Sequence, residues 1–113
     1  MSRKVVVLAS AKHDFAEVKR YIRNDFGEQV WNTINQEYKT AIRQIGEQPQ
    51  LGSQIDDLLE LGISNIRCML VRQTRIIYEY DDELVLIHMF LHTRRNFRTQ
   101  LFHRLGHTPA ERG

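Results

Sequence analysis

The stretch from Thr74 to Leu91 constrains this chain more than any other. Two runs, Thr74 to Tyr80 and Leu84 to Leu91, flank the acidic break Asp81-Asp82-Glu83. The first run is rich in β-branched and aromatic residues, and a short polar break between two such runs predicts a β-hairpin. The second is apolar at every position except His88. It is too short to cross a membrane, and its lack of alternation predicts a central strand covered on both faces. That strand runs straight into His92-Thr93-Arg94-Arg95-Asn96-Phe97-Arg98, the densest cationic cluster of the chain. A fold that satisfies this stretch buries 84–91 and releases positive charge at its end.

With 113 residues the chain has room for one core. We read a single domain over 1–106 and a frayed tail over 107–113. The single Cys68 has no partner for an internal disulfide and no CxxC companion, which points to a reducing, cytoplasmic setting. The early apolar run, Val5 to Ala9, is shorter than the ~7–15-residue core of a signal peptide and reads as a first strand, from Lys4 to Ala9.

Two amphipathic helices follow. Ala11, Phe15, Val18, Ile22 and Phe26 recur at helical spacing, with Ser10 placed as N-cap and Gly27 as the stop. Val30, Trp31, Ile34, Tyr38, Ala41, Ile42 and Ile45 form the stripe of a second helix, from Glu28 to Ile45. Gly46 and Pro49 are expected to end it. Trp31 on that stripe is expected in the core and not on a recognition surface. The single-glycine connection predicts an antiparallel helical hairpin. Residues 48–62 are irregular, with a short helical turn at 55–60. Asn65 to Val71 reads as a strand turning through Arg72-Gln73 into Thr74, although that turn lacks the Gly or Asn of favoured two-residue hairpins. The order is β-α-α-β-β-β, an α+β fold in which a small antiparallel-rich sheet carries the helical hairpin on one face. A short C-terminal helix is expected from Arg98 to Leu105. The other face of the sheet is expected to be partly open and lined by Arg67, Arg75 and the residues after His92.

Net charge is only +2 but unevenly spread. The tail beyond His92 has five arginines against Glu111. A basic patch on a near-neutral body fits an acidic partner, whether RNA, DNA or an acidic protein segment, and equally a solvated terminal helix. No metal site is expected. Asp56, Asp57 and Glu60 have no His or Cys at ligand spacing nearby, and His88 and His92, four strand residues apart, span about 13 Å. No phosphate-binding loop, GxGxxG, HExxH or GxSxG occurs, so no cofactor is expected. A metal-free endoribonuclease remains compatible with these residues. Arg75, Arg94 and Arg95 supply cations for the phosphate, and His88, His92 or Tyr78 supply proton transfer. Tyr78 and His88 would equally pack and hydrogen-bond within the sheet, and Cys68 reads as a small core residue.

In order and spacing the chain resembles the RelE/ParE superfamily of toxins from bacterial type II toxin–antitoxin systems. The resemblance runs from about Val5 to Leu105. It rests on Ala11-x-x-Asp14-Phe15, Tyr21-Ile22 with Phe26-Gly27, then Ile45, Pro49 and Gly52, and finally Ile66-Arg67, Arg75-Ile76-Ile77-Tyr78 and Leu91-His92-Thr93-Arg94-Arg95. It implies a growth-inhibiting toxin, active in plasmid stabilization or stress and neutralised in a hetero-oligomer by a cognate antitoxin. Members similar to RelE cut mRNA on the ribosome as mRNA interferases. That mechanism would make Arg75, Arg94 and His92 the catalytic candidates here. The chain departs from it in having Phe97 and Phe102, and no tyrosine, after Arg95. Members similar to ParE poison DNA gyrase, and the ending Leu91-His92-x-Arg94-Arg95 resembles theirs. On that reading Arg67, Arg75, Arg94, Arg95, Phe97 and Arg98 are target-binding residues and no chemistry is required. A non-toxic nucleic-acid-binding module is the third reading. Few aromatics stand beside the arginines for bases to stack on, which counts against it.

Overall fold

The computed structural model of the protein describes residues 2–92 and Arg104. Along the chain these form β1 (Lys4–Val7), α1 (Ala9–Phe26), α2 (Glu28–Glu47), a 3-10 turn (Pro49–Leu51), β2 (Ser53–Gln54), α3 (Asp56–Leu59), β3 (Ile66–Val71), β4 (Thr74–Tyr80) and β5 (Leu84–His92). The five strands make one sheet in the order β1-β5-β4-β3-β2. The apolar run is central as expected. β5 pairs in parallel with β1 and antiparallel with β4, and Val85, Ile87, Met89, Phe90 and Leu91 are buried. The α+β architecture stands, with β2 and α3 added between the helical hairpin and β3. The expected C-terminal helix and the 107–113 tail lie outside the described residues, apart from Arg104. No helix among the described residues is long and apolar enough to cross a membrane.

The helical hairpin is shaped at both ends by glycine, though not in the way the periodicity implied. Gly27 has φ +95°, a conformation that side-chain-bearing residues rarely adopt. Its N–H donates to the Arg23 carbonyl and its own carbonyl accepts from Trp31, so one residue closes α1 and opens α2. Ser10 does not cap α1. Leu8 holds the extended N-cap position, Ser10 falls in the first turn, and no side chain caps the helix. Gly46 does not stop α2 either. The helix continues through it to Glu47 because Gly46 lies against β1, where a Cβ would meet Val5 Cγ2 at 2.9 Å and where its carbonyl accepts the Arg3 N–H.

The inner face of the sheet meets the hairpin in an aromatic core. Phe15 of α1 has ring contacts with Trp31 at 5.5 Å, Tyr38 at 5.6 Å and Phe90 at 5.1 Å, in edge-on or tilted geometries that suit ring quadrupoles. Trp31 is therefore core, as its stripe predicts. Burying each such ring stabilises the fold by roughly 1.5–3 kcal/mol. The outer face is less open than expected. Ile55 and Leu58 of the α3 region pack with Ile66, Ile77 and Met89 in a second, smaller cluster.

Two turns and one irregularity fix the register. The two-residue turn from β3 to β4 places Arg72 at φ +54° without a glycine, and its guanidinium spans both carboxylate oxygens of Glu37 on α2 at 2.8 and 2.7 Å. In the break between β4 and β5, Asp81 Oδ1 accepts the N–H groups of Glu83 and Leu84, an Asx turn. Between these turns β5 carries a bulge. Ile77 pairs with Met89 but Tyr78 with Ile87, which leaves His88 as the extra residue. Ile87 and Phe90, three positions apart, therefore both face the helices.

Candidate functional site

Arg67 and Arg75 do not line one face of the sheet. Arg67 pairs with Tyr78 in the ladder and shares its helix-facing side, whereas Arg75 pairs with Leu70 and Leu91 on the outer side. Strand alternation alone separates them. Arg67 is also committed locally. One of its terminal nitrogens donates to the carbonyls of Gln50 and Gly52, both at 3.1 Å, and its guanidinium sits 5.9 Å from the Tyr80 ring centre. Tyr78 anchors the same loop, donating to the Pro49 carbonyl and accepting from the Gly52 N–H at 2.9 Å. Together they pin the chain leaving α2 onto the sheet. Arg75 hydrogen-bonds the Cys68 thiol, which lowers its pKa, while burial raises it more strongly, so the net shift is upward and Cys68 stays a thiol.

The bulge also separates the histidines. His88 is buried, and its Nε2 lies 2.9 Å from Glu79 Oε1 on the outer side. Past the bulge, His92 pairs with Thr74 and sits edge-on to Tyr21 of α1 on the helix-facing side. The expectation that a straight strand carries both histidines on one side is therefore corrected. Arg75 and His92, two of the three nuclease candidates, also fall on opposite faces. Tyr78 is fully buried, its hydroxyl is held in the loop, and burial pushes its pKa up, so it has no route to a substrate proton. Arg94, Arg95, Phe97 and Arg98 lie outside the described residues. No group of three or more His, Cys, Asp or Glu side chains placed to hold a metal ion occurs among the described residues.

His92 also lines a groove on the helix-facing side. This groove, of about 1050 Å³, runs between the second half of α1, the β3–β4 turn and the end of β5. Val18, Ile22, Ile34, Tyr38 and Phe90 line its depth, with Tyr21 and Phe26 on its rim. Those two rings touch each other and are 45% and 58% exposed, unusual for aromatics at the end of a packed helix. At one end stands Asp14. Its carboxylate accepts the Phe90 N–H of β5 at 3.2 Å and takes both terminal nitrogens of Arg104, at 2.9 and 3.1 Å. Arg104 also donates to the His88 carbonyl at 3.2 Å. β1 ends at Val7, so on that side β5 continues without a strand partner while still paired with β4 on the other, and Asp14 and Arg104 satisfy backbone groups on the bare edge. Sequence reading named Asp14 only as part of a pattern and missed Arg104. Ninety positions separate the two, and no local signal links them.

This framework, a helical hairpin over a five-stranded sheet with its first strand parallel to its last, is shared with a known class of small toxins. Among solved structures the chain is similar to the chromosomal ParDE toxin–antitoxin system from P. aeruginosa, with a TM-score of 0.63, 8% identity, and coverage of 80% of this chain and 96% of that one. At that identity the likeness establishes the fold alone. No curated protein sequence matches the chain significantly. A family model for the ParE toxin of the type II toxin–antitoxin system parDE matches residues 5–97. The chain belongs to the ParE toxin family.

Proposed function

We propose that the chain is a growth-inhibiting toxin of the cytoplasm, held inactive by a cognate antitoxin, and that its target is DNA gyrase. The observation that carries the choice of target is the scattering of the proton-transfer candidates. Tyr78 is sealed in the loop, His88 is paired with Glu79, and His92 stands across the sheet from Arg75. Cleavage at a ribose 2′-hydroxyl needs base, acid and cation converging on one phosphate. A protein that acts by binding needs no such convergence. The cationic residues from Arg94 to Arg98 then serve as contacts to the target.

Pulse-labelling after induction of the toxin alone tests this. DNA synthesis should fall first while protein synthesis continues. An immediate fall in protein synthesis would overturn the gyrase assignment in favour of an mRNA endonuclease. Unchanged growth would overturn the toxin reading itself.

A further inference from the structure

We propose that the outer edge of β3 is a contact between two copies of this chain, which pair there strand to strand about a two-fold axis. β2 covers only part of that edge, since Ser53 and Gln54 pair with Cys68 and Arg67. Met69, Leu70 and Val71 pair with β4 on one side, and no described strand pairs with them on the other. Val71 and Thr74 close a two-residue hairpin and so exchange backbone hydrogen bonds. Alternation then turns the N–H and C=O of Leu70 away from β4, toward the bare edge. The Leu70 side chain is 57% exposed. Such an edge is a template for another strand, and the usual protections are missing from it: residues 69–71 include no charge and no proline, and their pairing with β4 has no bulge.

The chemistry beside the edge selects a second copy as the occupant. α2 and the edge enclose a shallow cleft of about 430 Å³, lined by Gln36, Thr40 and Gln44 from the helix and Met69, Leu70 and Val71 from the strand. Its only charged residues, Glu37 and Arg72, neutralise each other through two hydrogen bonds. Lys39 and Arg43 stand outside it. A two-fold axis sets a surface against itself, so a charged face repels its image, whereas amides, hydroxyls and apolar groups match theirs. Gln36, Thr40 and Gln44 follow at four-residue spacing and are all exposed, a short stripe with Thr40 at its centre. An axis beside Thr40 and Leu70 sets each against its own image and Gln36 against the partner's Gln44. Each Leu70 then donates its N–H to the other's carbonyl, and both helical hairpins lie on the same face of the joined sheet. The inference stands on this edge alone and not on the choice of target.

Sedimentation velocity of the purified full chain over a concentration series tests this. The contact is small, so the wild type should pass from monomer to dimer at roughly micromolar concentration. Leu70→Lys sets two like charges opposite each other and should raise the dimer Kd on the order of tenfold or more. Thr40→Arg should do the same from the helix, without touching the strand. Both positions are exposed, so the thermal midpoint should hold in each variant. Leu61→Lys removes an exposed leucine outside the cleft and should leave the dimer Kd unchanged. The proposal is overturned if the wild type stays monomeric throughout the series, or if a dimer forms that neither Leu70→Lys nor Thr40→Arg weakens. It is also overturned if Leu61→Lys weakens the dimer as much as they do. A monomeric chain that binds the product of the adjacent gene, and loses that binding in Leu70→Lys, would assign the edge to the antitoxin and overturn the proposal as well.

Discussion

At the scale of single residues, several side chains that look functional in the sequence are structural ties. Arg67 and Tyr78 hold the carbonyls of Pro49, Gln50 and Gly52 and the N–H of Gly52 against the sheet. Replacing Tyr78 with Phe strips a buried N–H and a carbonyl of their partner and should cost about 1–3 kcal/mol, read as a lower urea midpoint with an unchanged slope. A tyrosine and an arginine at ladder positions carry no local mark that separates a tie from a binding residue. The glycines mislead for a related reason. Gly27 and Gly46 both follow apolar stripes, but only Gly27 needs a positive φ, while Gly46 makes room for Val5. The charged turn residues have a pH consequence. The Arg72 guanidinium lowers the Glu37 pKa, and the backbone N–H groups of Glu83 and Leu84 lower that of Asp81. Acids depressed in the folded state stabilise it above the ordinary carboxylate range, and that contribution is lost as the pH falls through their folded values. Stability should therefore decline on acidification below that range. Glu37→Gln should make the decline shallower in a series of urea melts; both groups are exposed, so the change should be small.

At the scale of elements, the sequence was informative wherever a period was long. The apolar run of β5 and the Asp81 turn appear as read, as do the stripes of α1 and α2 except at their adjoining ends, where Phe26 and Val30 are exposed. What escaped were features one or two residues long. β2 is two residues, and the bulge at His88 adds one residue with no glycine to announce it. That single residue decides which histidine faces which side, so the candidate site was less legible than the fold around it. The bulge also yields a prediction about tolerance. Deleting His88 restores plain alternation while keeping Ile87 and Phe90 toward the helices and Met89 away from them. The deletion should remove the Glu79 contact, at a cost of about 1–3 kcal/mol, and leave a cooperative thermal transition. Inserting an alanine after His88 also restores alternation, but it slides Met89, Phe90 and Leu91 two positions along β4 from their partners Ile77, Ile76 and Arg75, so it should lower the midpoint of that transition further than the deletion does.

At the scale of the whole molecule, the sheet divides labour between its two sides. The helix-facing side holds the aromatic core and opens at one end into the groove closed by Asp14 and Arg104. The outer side carries Arg75 and the smaller cluster under α3. Among the described residues the proton-transfer candidates converge on neither side, which supports the proposal of a toxin that works by occupying its target. The most direct measurement incubates purified gyrase, ATP and relaxed plasmid with the purified chain and follows the DNA after denaturing the enzyme. The account predicts linear plasmid from trapped double-strand breaks, increasing with toxin and suppressed by the antitoxin. Complete supercoiling without breaks, at toxin concentrations that arrest growth, would contradict it.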